Sequence, residues 1–281
     1  MITDDSTDTV YISALLQERY PDLHRSISAI LKKGGIRLIE LQATKDIWCR
    51  DYMPVQVSGD KFIRFSYDPD YLKPGPYRHL RSDQAAILSL LPFRITGSDL
   101  VIDGGNVVKA KDKVIMTDKI FKENKNRSRE DIIREILAIF AIAEVIIVPA
   151  VPDDFTGHSD GMVRFVNSNT VLLNDFSKYH PTYFQKLKKS LTSQGLNITI
   201  LPWYGWKNRS DVEDTGDYLN FLQVGELIIY PEFDPDTDRE VKAVIQHAYP
   251  GTTLEGVDGS MIALEGGLLN CCTWNIQTRQ N

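Results

Sequence analysis

Cysteine is scarce in this chain: Cys49, Cys271 and Cys272 are the three among 281 residues. A small, odd number without framework spacing excludes a disulfide scaffold. Cys271 and Cys272 are adjacent and would pair only through a strained vicinal bridge, so free thiols and a reducing compartment are expected. No CxxC or HxxxH spacing occurs, which argues against a metal centre; no cofactor is expected. No block of Lys and Arg stands out, so nucleic acid is not an expected partner. There is no run of about 18 apolar residues, so no membrane span is expected. The stretch Met1–Thr9 is polar and acidic, without the basic and apolar regions of a secretory signal. The expected location is the cytoplasm.

What is present is ordinary globular composition, 42% hydrophobic and 25% charged, with a net charge of −6. A core can be built from this without disulfides or metal. The length and the lack of a dividing linker lead us to expect one domain over residues 1–281. The Pro/Gly-rich patch Lys73–Tyr77 and the charged stretch Lys122–Asp131 are expected as loops.

A repeat emerges when acidic residues are used as markers. Asp51, Asp103, Asp160, Asp217 and Glu265 open similar segments at spacings of 52, 57, 57 and 48 residues. The first four segments read as β-hairpins, with apolar and β-branched runs flanking the polar turns SGDK, AKDK, NSN and VGE. Helical periodicity follows each, at roughly 81–91, 128–140, 181–194 and 236–248. Apolar strands come next, at Ala143–Val148, Asn197–Leu201 and Thr252–Leu254, with a shorter one at Leu100–Ile102. The N-terminal region, helix at about 8–33 and strand at 36–42, completes the fifth unit, which the C-terminus leaves unfinished. The fold class expected is α/β: a fivefold pseudosymmetric propeller of strand–strand–helix–strand repeats. In such a ring the five marker acids gather near the axis.

Cys271 follows the turn Glu265–Gly266–Gly267 and a short apolar pair. Taken alone, such a cysteine is more often a buried small hydrophobe than a nucleophile. If the pair lies on a strand, Cys271 and Cys272 point to opposite faces, and only one faces a pocket while the other packs outward. His158 stands two residues before Asp160, so on an extended segment both point the same way; this makes it a general acid/base candidate. Trp48-Cys49-Arg50-Asp51 reads either as a strand end with a surface Arg–Asp pair or as a source of a pocket carboxylate. Two carboxylates, Asp51 and Asp160, match a planar cationic guanidinium with its fixed fork of N–H donors. Glu213, Asp214 and Asp217 form an acidic cluster, either an exposed loop or a site for a second amine. Arg50, Arg94 and Arg209 are candidates for binding a carboxylate.

Together the pieces WCRDYMP, DGGN, GHSDGMVRF, YLNF…IIYPEF and EGGLLNCCT resemble the guanidino-group-modifying family. That family includes agmatine deiminases, bacterial peptidyl-arginine deiminases, arginine deiminases and amidinotransferases, all on a fivefold α/β propeller (the pentein fold). The pieces span almost the whole chain in the family's order. The resemblance implies Cys271 as nucleophile, His158 as the catalytic histidine, and Asp51 and Asp160 as the guanidinium-binding carboxylates. It implies Asn220 as a site-lining residue, with Trp48, Arg50 and Gly267 as further substrate contacts. Arg164 is read as a support of the His–Asp hairpin. The chain departs from agmatine deiminases at Glu265, at Asn270, and at RFSYDPDYL, which replaces a segment resembling W-N-A-W-G. These changes spare the chemistry but weaken agmatine as the substrate.

The implied activity is hydrolytic deimination of a cationic guanidino small molecule or an arginine side chain. A covalent Cys271 intermediate would form, releasing a ureido product and ammonia. Amidino transfer uses the same residues with an amine as acceptor. A cysteine peptidase needs an oxyanion hole rather than two anions facing the substrate. A guanidine-binding protein without activity is the remaining alternative.

Overall fold

Apolar residues alternate between two destinations along the middle strand of each repeat, and this alternation builds the fold. The computed structural model describes residues 1–281 apart from Pro74, Arg209, Asp211, Gln280 and Asn281. The N-terminal region supplies strands β1 (Thr9–Ser13) and β2 (Arg37–Leu41). Next come β3 (Val55–Ser58), β4 (Lys61–Ser66) and β5 (Arg94–Val101), then β6 (Val108–Lys109), β7 (Lys113–Thr117) and β8 (Glu144–Val148). The series continues with β9 (Val163–Asn167), β10 (Thr170–Asn174), β11 (Asn197–Leu201), β12 (Leu222–Val224), β13 (Leu227–Glu232) and β14 (Thr253–Asp258). The last strand, β15 (Thr273–Ile276), returns to β1.

These strands form five three-stranded sheets: β15-β1-β2, β3-β4-β5, β6-β7-β8, β9-β10-β11 and β12-β13-β14. In each, an antiparallel pair is extended by a parallel third strand, reached through helical segments. The chain closes on itself where Val10 pairs with Asn275 and Tyr11 with Trp274.

The middle strands are buried on both faces, so they read as near-continuous apolar runs. In β13, Leu227 and Ile229 enter one core while Ile228 and Tyr230 enter the next. In β1, Val10 and Ile12 face one core and Tyr11 the other. Five cores result, each between two neighbouring sheets. The one that joins β12–β14 to β1 closes the ring. This is the α/β pentein arrangement. Polar side chains from the innermost strands, among them Gln56, Arg164, Gln223 and Asn275, are buried along the axis.

Several expectations change. Residues 8–33 are not one helix: β1 comes first, followed by helices Leu15–Arg19 and Pro21–Lys33. Pro21 starts the second helix, where its missing N–H costs nothing. The helix expected at 81–91 is shorter, Gln84–Leu88, and the strand expected at Leu100–Ile102 is β5, longer and starting earlier. The loop expected at 122–131 is shorter, residues 124–128. Helix Lys119–Glu123 ends before it and Arg129–Phe140 begins after it, capped by Ser128 through the Asp131 N–H. Pro74, within the expected loop at 73–77, lies outside the described residues, as does Arg209. Among the described residues no helix is long and apolar enough to cross a membrane.

Candidate active site

Four of the five marker acids gather at one end of the axis. Asp51, Asp103, Asp160 and Asp217 are all buried, each in the turn or short helix that precedes an innermost strand. Glu265 does not join them. It sits at the cavity rim, paired with Arg19, because the Gly266 turn, with φ of 84°, keeps it away from the axis. The fifth position is taken by Asn270 and Cys271, just before β15.

A cavity of about 470 Å³ opens over this end, and Cys271, His158, Asp51, Asp160, Asn220 and Trp48 all line it. Asp51 lies on the one-turn helix Cys49–Tyr52. Its Oδ1 accepts the Gly105 N–H at 3.0 Å and its Oδ2 the Tyr71 hydroxyl at 3.0 Å. Gly105 is required here: a Cβ would stand 2.6 Å from His158 Nδ1 and 2.8 Å from Asp51 Oδ1. His158 is held between two acids, with Nε2 3.0 Å from Asp103 Oδ2 and Nδ1 3.6 Å from Asp51 Oδ1. Residues 159–162 bend and turn rather than run extended, yet His158 and Asp160 both reach the cavity.

Cys271 lies in a turn rather than on a strand. Its Sγ stands 3.8 Å from Asp160 Oδ2 and accepts a hydrogen bond from Asn220 Nδ2 at 3.1 Å. Asn220 Oδ1 accepts the N–H groups of Asn270 at 3.0 Å and Cys271 at 3.2 Å. One side chain thus fixes both the thiol and the backbone that carries it. Cys272 points away, as expected, but into a hydrophobic core rather than outward. Asn270, where agmatine deiminases carry histidine, donates to Asp160 Oδ2 at 2.7 Å.

The charges are set by the surroundings. Burial, with Asp160 and Asp51 nearby, pushes the Cys271 thiol well above its ordinary value. Burial works against a charged His158, but Asp51 and Asp103 outweigh it, and its pKa is pushed up to about 9. Burial, helped by Asp103 and Asp160, pushes Asp51 up to about 6 against the pull of His158 and the Tyr71 hydroxyl. Asp103 goes the other way: burial opposes ionisation, yet His158 and Lys119 hold its carboxyl below the usual range. Burial raises Asp160 as well. These surroundings favour a protonated Cys271 thiol and a charged His158 imidazolium.

Two expected substrate contacts lie elsewhere. Arg50 turns to the opposite side, where its Nε donates to Asn270 O at 3.1 Å and its NH2 to Asn275 Oδ1 at 2.7 Å. There it lines a second cavity of about 320 Å³ with Asp4, Lys109 and Arg164. Gly267 does not line the Cys271 cavity. A Cβ on it would meet the Trp48 ring at 2.6 Å, so its role is to seat the indole. Arg164 binds Phe221 O at 2.5 Å and Asp4 Oδ2 at 2.6 Å, supporting the axis rather than the His158 turn. Arg94 opens β5, exposed and outside the cavity. Glu213, Asp214 and Asp217 are not an exposed loop: all line the cavity, and Asp217 accepts from Asn174 Nδ2 at 2.7 Å.

Tyr71 and Lys119 were not expected at the site, and Asp103 was expected near the axis but without a role of its own. Asp103 carried a signal, both as a repeat marker and within DGGN. Among the described residues no group of three or more His, Cys, Asp and Glu is placed to hold a metal ion.

The comparisons bear on the family and the fold. The family model described as Porphyromonas-type peptidyl-arginine deiminase matches residues 5–276. Agmatine deiminase of Pseudomonas aeruginosa is 26% identical, over 89% of this chain and 79% of that protein. A putative agmatine deiminase of Pectobacterium atrosepticum is 25% identical, over 87% and 77%. Among solved structures, C. jejuni agmatine deiminase matches with a TM-score of 0.80 at 18% identity, covering 99% of this chain and 95% of that one. DDAH from Pseudomonas aeruginosa matches with a TM-score of 0.58 at 12% identity, covering 96% and 99%. At those identities the structures speak for the fold. With the family model running from Asp5 to Ile276, this chain belongs to the Porphyromonas-type peptidyl-arginine deiminase family and is a hydrolase acting on C–N bonds.

Proposed function

We propose that the chain deiminates a guanidinium substrate by hydrolysis, through a covalent intermediate on Cys271. The observation that carries this reading is the cavity in which Cys271 Sγ stands 3.8 Å from Asp160 Oδ2, with Asp51 and His158 on the same wall. A planar guanidinium held by Asp51 and Asp160 brings its carbon to the sulfur. Its positive charge offsets the carboxylates that keep the thiol protonated, so substrate binding itself favours the thiolate.

Cys271 Sγ then forms a bond to the guanidinium carbon. The C–N bond to the departing nitrogen breaks, and His158 supplies the proton with which ammonia leaves. Water adds to the same carbon and gives a proton back to His158. The S–C bond breaks as the added hydroxyl loses its remaining proton to solvent, releasing a ureido product and the thiolate. Asp51 and Asp160 stay ionised opposite the substrate charge throughout.

The substrate class is a guanidine of the agmatine, arginine or peptidyl-arginine type. The wall beyond Asp160 carries Glu213, Asp214, Asp217 and Glu265. Among the described lining residues other than His158, Arg19 is the one cation, and it is paired with Glu265. This favours a substrate whose far end is neutral or cationic over the carboxylate of free arginine. Asn270 and the RFSYDPDYL segment, the departures from agmatine deiminases, contact Asp160 and Asp51 and leave both carboxylates in place.

The test is an ammonia-release screen across agmatine, free arginine, peptidyl-arginine and guanidino acids, with no amine added. Release that the Cys271→Ala variant loses is expected. Release at the wild-type rate from that variant contradicts the role of Cys271, and release only on adding an amine assigns amidino transfer instead.

A further inference from the structure

A buried lysine stands behind the site and touches both of its sides. Lys119 opens the helix Lys119–Glu123, with its side chain 6% exposed. An ammonium buried this deeply needs anions to replace its lost hydration. Its Nζ stands 3.0 Å from Asp103 Oδ2, 3.3 Å from Asp70 Oδ1 and 3.5 Å from Glu123 Oε1. It also lies 4.7 Å from the centre of the Tyr71 ring, within cation–π range.

These contacts lead to two different parts of the site. Asp103 Oδ2 is the same oxygen that faces His158 Nε2 at 3.0 Å, while Asp103 Oδ1 is buried with no hydrogen-bond partner among the described residues. The carboxylate is therefore held through one oxygen, and Lys119 shares with His158 the task of fixing its rotation. Asp70 and Tyr71 belong to the turn Asp70–Leu72, whose Asp70 N–H also reaches Glu123 Oε1 at 3.4 Å. The Tyr71 hydroxyl donates to Asp51 Oδ2 at 3.0 Å. This turn lies on RFSYDPDYL, the segment at which the sequence departs from agmatine deiminases.

We propose that Lys119 is a positioning residue that couples the two halves of the site: its ammonium orients Asp103 behind His158 and, through Asp70 and the Tyr71 ring, holds the hydroxyl that fixes Asp51. Lys119 does not line the Cys271 cavity, so it acts only through these neighbours. The inference rests on the roles given to His158 and Asp51 above, but its test uses substrate-free protein.

The groups facing His158 are Asp51 from the helix Cys49–Tyr52, Asp103 after β5, Lys119 and Glu123 from their helix, Asp160 from its own turn, and Asp214 from the cavity wall. Lys119 is the cation in this set. Its removal leaves the imidazolium among acids with nothing opposing it.

The experiment is the Lys119→Met variant, read by NMR of labelled His158 and by hydrogen exchange of the 70–72 amides. The expected result is an upfield shift of the His158 Nε2 proton as its bond to Asp103 loosens, which loss of the Lys119 charge alone would not produce, together with faster exchange at 70–72. With substrate, kcat should fall about 100-fold, as for other misplaced catalytic groups. Adding Tyr71→Phe to Lys119→Met should cost less than it does in the wild type, because both changes break the same chain of contacts. A folded variant with either the His158 Nε2 proton or the exchange at its wild-type value overturns the coupling. Should Lys119→Met fail to fold, Asp70→Asn, at a side chain 60% exposed, keeps the question open to test. Exchange at 71–72 should then quicken, and unchanged exchange overturns the proposal. A wild type that releases no ammonia yet shows the His158 shift on mutation contradicts the deiminase reading and leaves the coupling standing.

Discussion

His158 and Asp103 form a closed pair: Nε2 stands 3.0 Å from Oδ2, with the two side chains 3% and 0% exposed. The pair lets an imidazolium persist in a buried site at a pH where a free histidine is neutral.

Replacing Asp103 with Asn should bring this to an end. Losing the carboxylate moves the His158 pKa down from about 9, so the imidazolium needed for the departing ammonia disappears at lower pH. The alkaline limb of kcat/KM should move to lower pH, and the rate at pH 8 should fall about 10²–10⁴-fold. A pH–rate profile checks this; a limb in its wild-type position assigns that limb to another group.

The same pair affects stability. The folded pKa of His158 is raised above the ordinary value of about 6.5, so its stabilisation is complete below that pH and is lost as pH rises through about 9. Urea titrations across this window should show stability declining on the alkaline side in the wild type and less steeply in His158→Gln.

Asn220 is predicted to control the thiol. Its Nδ2 donates to Cys271 Sγ at 3.1 Å, a bond that strengthens as the sulfur becomes anionic. Asn220→Ala should raise the Cys271 pKa further and slow its alkylation by iodoacetamide at pH 8. It also leaves the Cys271 N–H without its acceptor, at about 1–3 kcal/mol, while the Asn270 N–H keeps the Asn220 backbone carbonyl at 3.1 Å. A lower Tm is therefore expected alongside slower alkylation.

Asp4 anchors the other end of the axis. It accepts from Arg164 NH2 at 2.6 Å and Asn275 Nδ2 at 3.1 Å, and Lys109 Nζ lies 3.4 Å away. Burial opposes its charge, but Lys109, Arg164 and Arg50 prevail and hold its pKa far below the usual range. Its contribution is present above the ordinary carboxyl pKa of about 3.9 and is lost as pH falls below it. Asp4→Asn should cost about 3 kcal/mol at pH 7, because it strands buried cations, and should flatten the acid limb of stability. Urea unfolding at pH 7 and pH 3.5 measures both effects.

Much of the fold was legible because its middle strands are buried on both faces. That makes β4, β7, β10 and β13 apolar runs set at regular distances behind an acidic turn. Less was legible at the N-terminus. The residues of β1 continue without a break into Ala14–Leu16, and a five-residue strand beside a helical pattern carries no period of its own. Glu265 misled for a local reason: EGG resembles the DGG of Asp103, but the turn at Gly266 sends its side chain to the rim. At the site, Cys271, His158, Asp51, Asp160 and Asn220 stand in motifs and were readable. Tyr71 and Lys119 were not, since each earns its place only from contacts across the ring. Arg50 was misplaced because its motif does not say which end of the axis each side chain enters: from the one-turn helix that carries both, Asp51 reaches the Cys271 cavity and Arg50 the second cavity.

The central claim is that Cys271 bonds to the guanidinium carbon. Turnover with the substrate found in the ammonia screen, quenched in acid and mapped by peptide mass spectrometry, tests it most directly. The account predicts an amidino adduct on Cys271, absent from Cys271→Ala and still present in Cys272→Ala. Adduct-free Cys271 during steady turnover, or an adduct on Cys272, would contradict it.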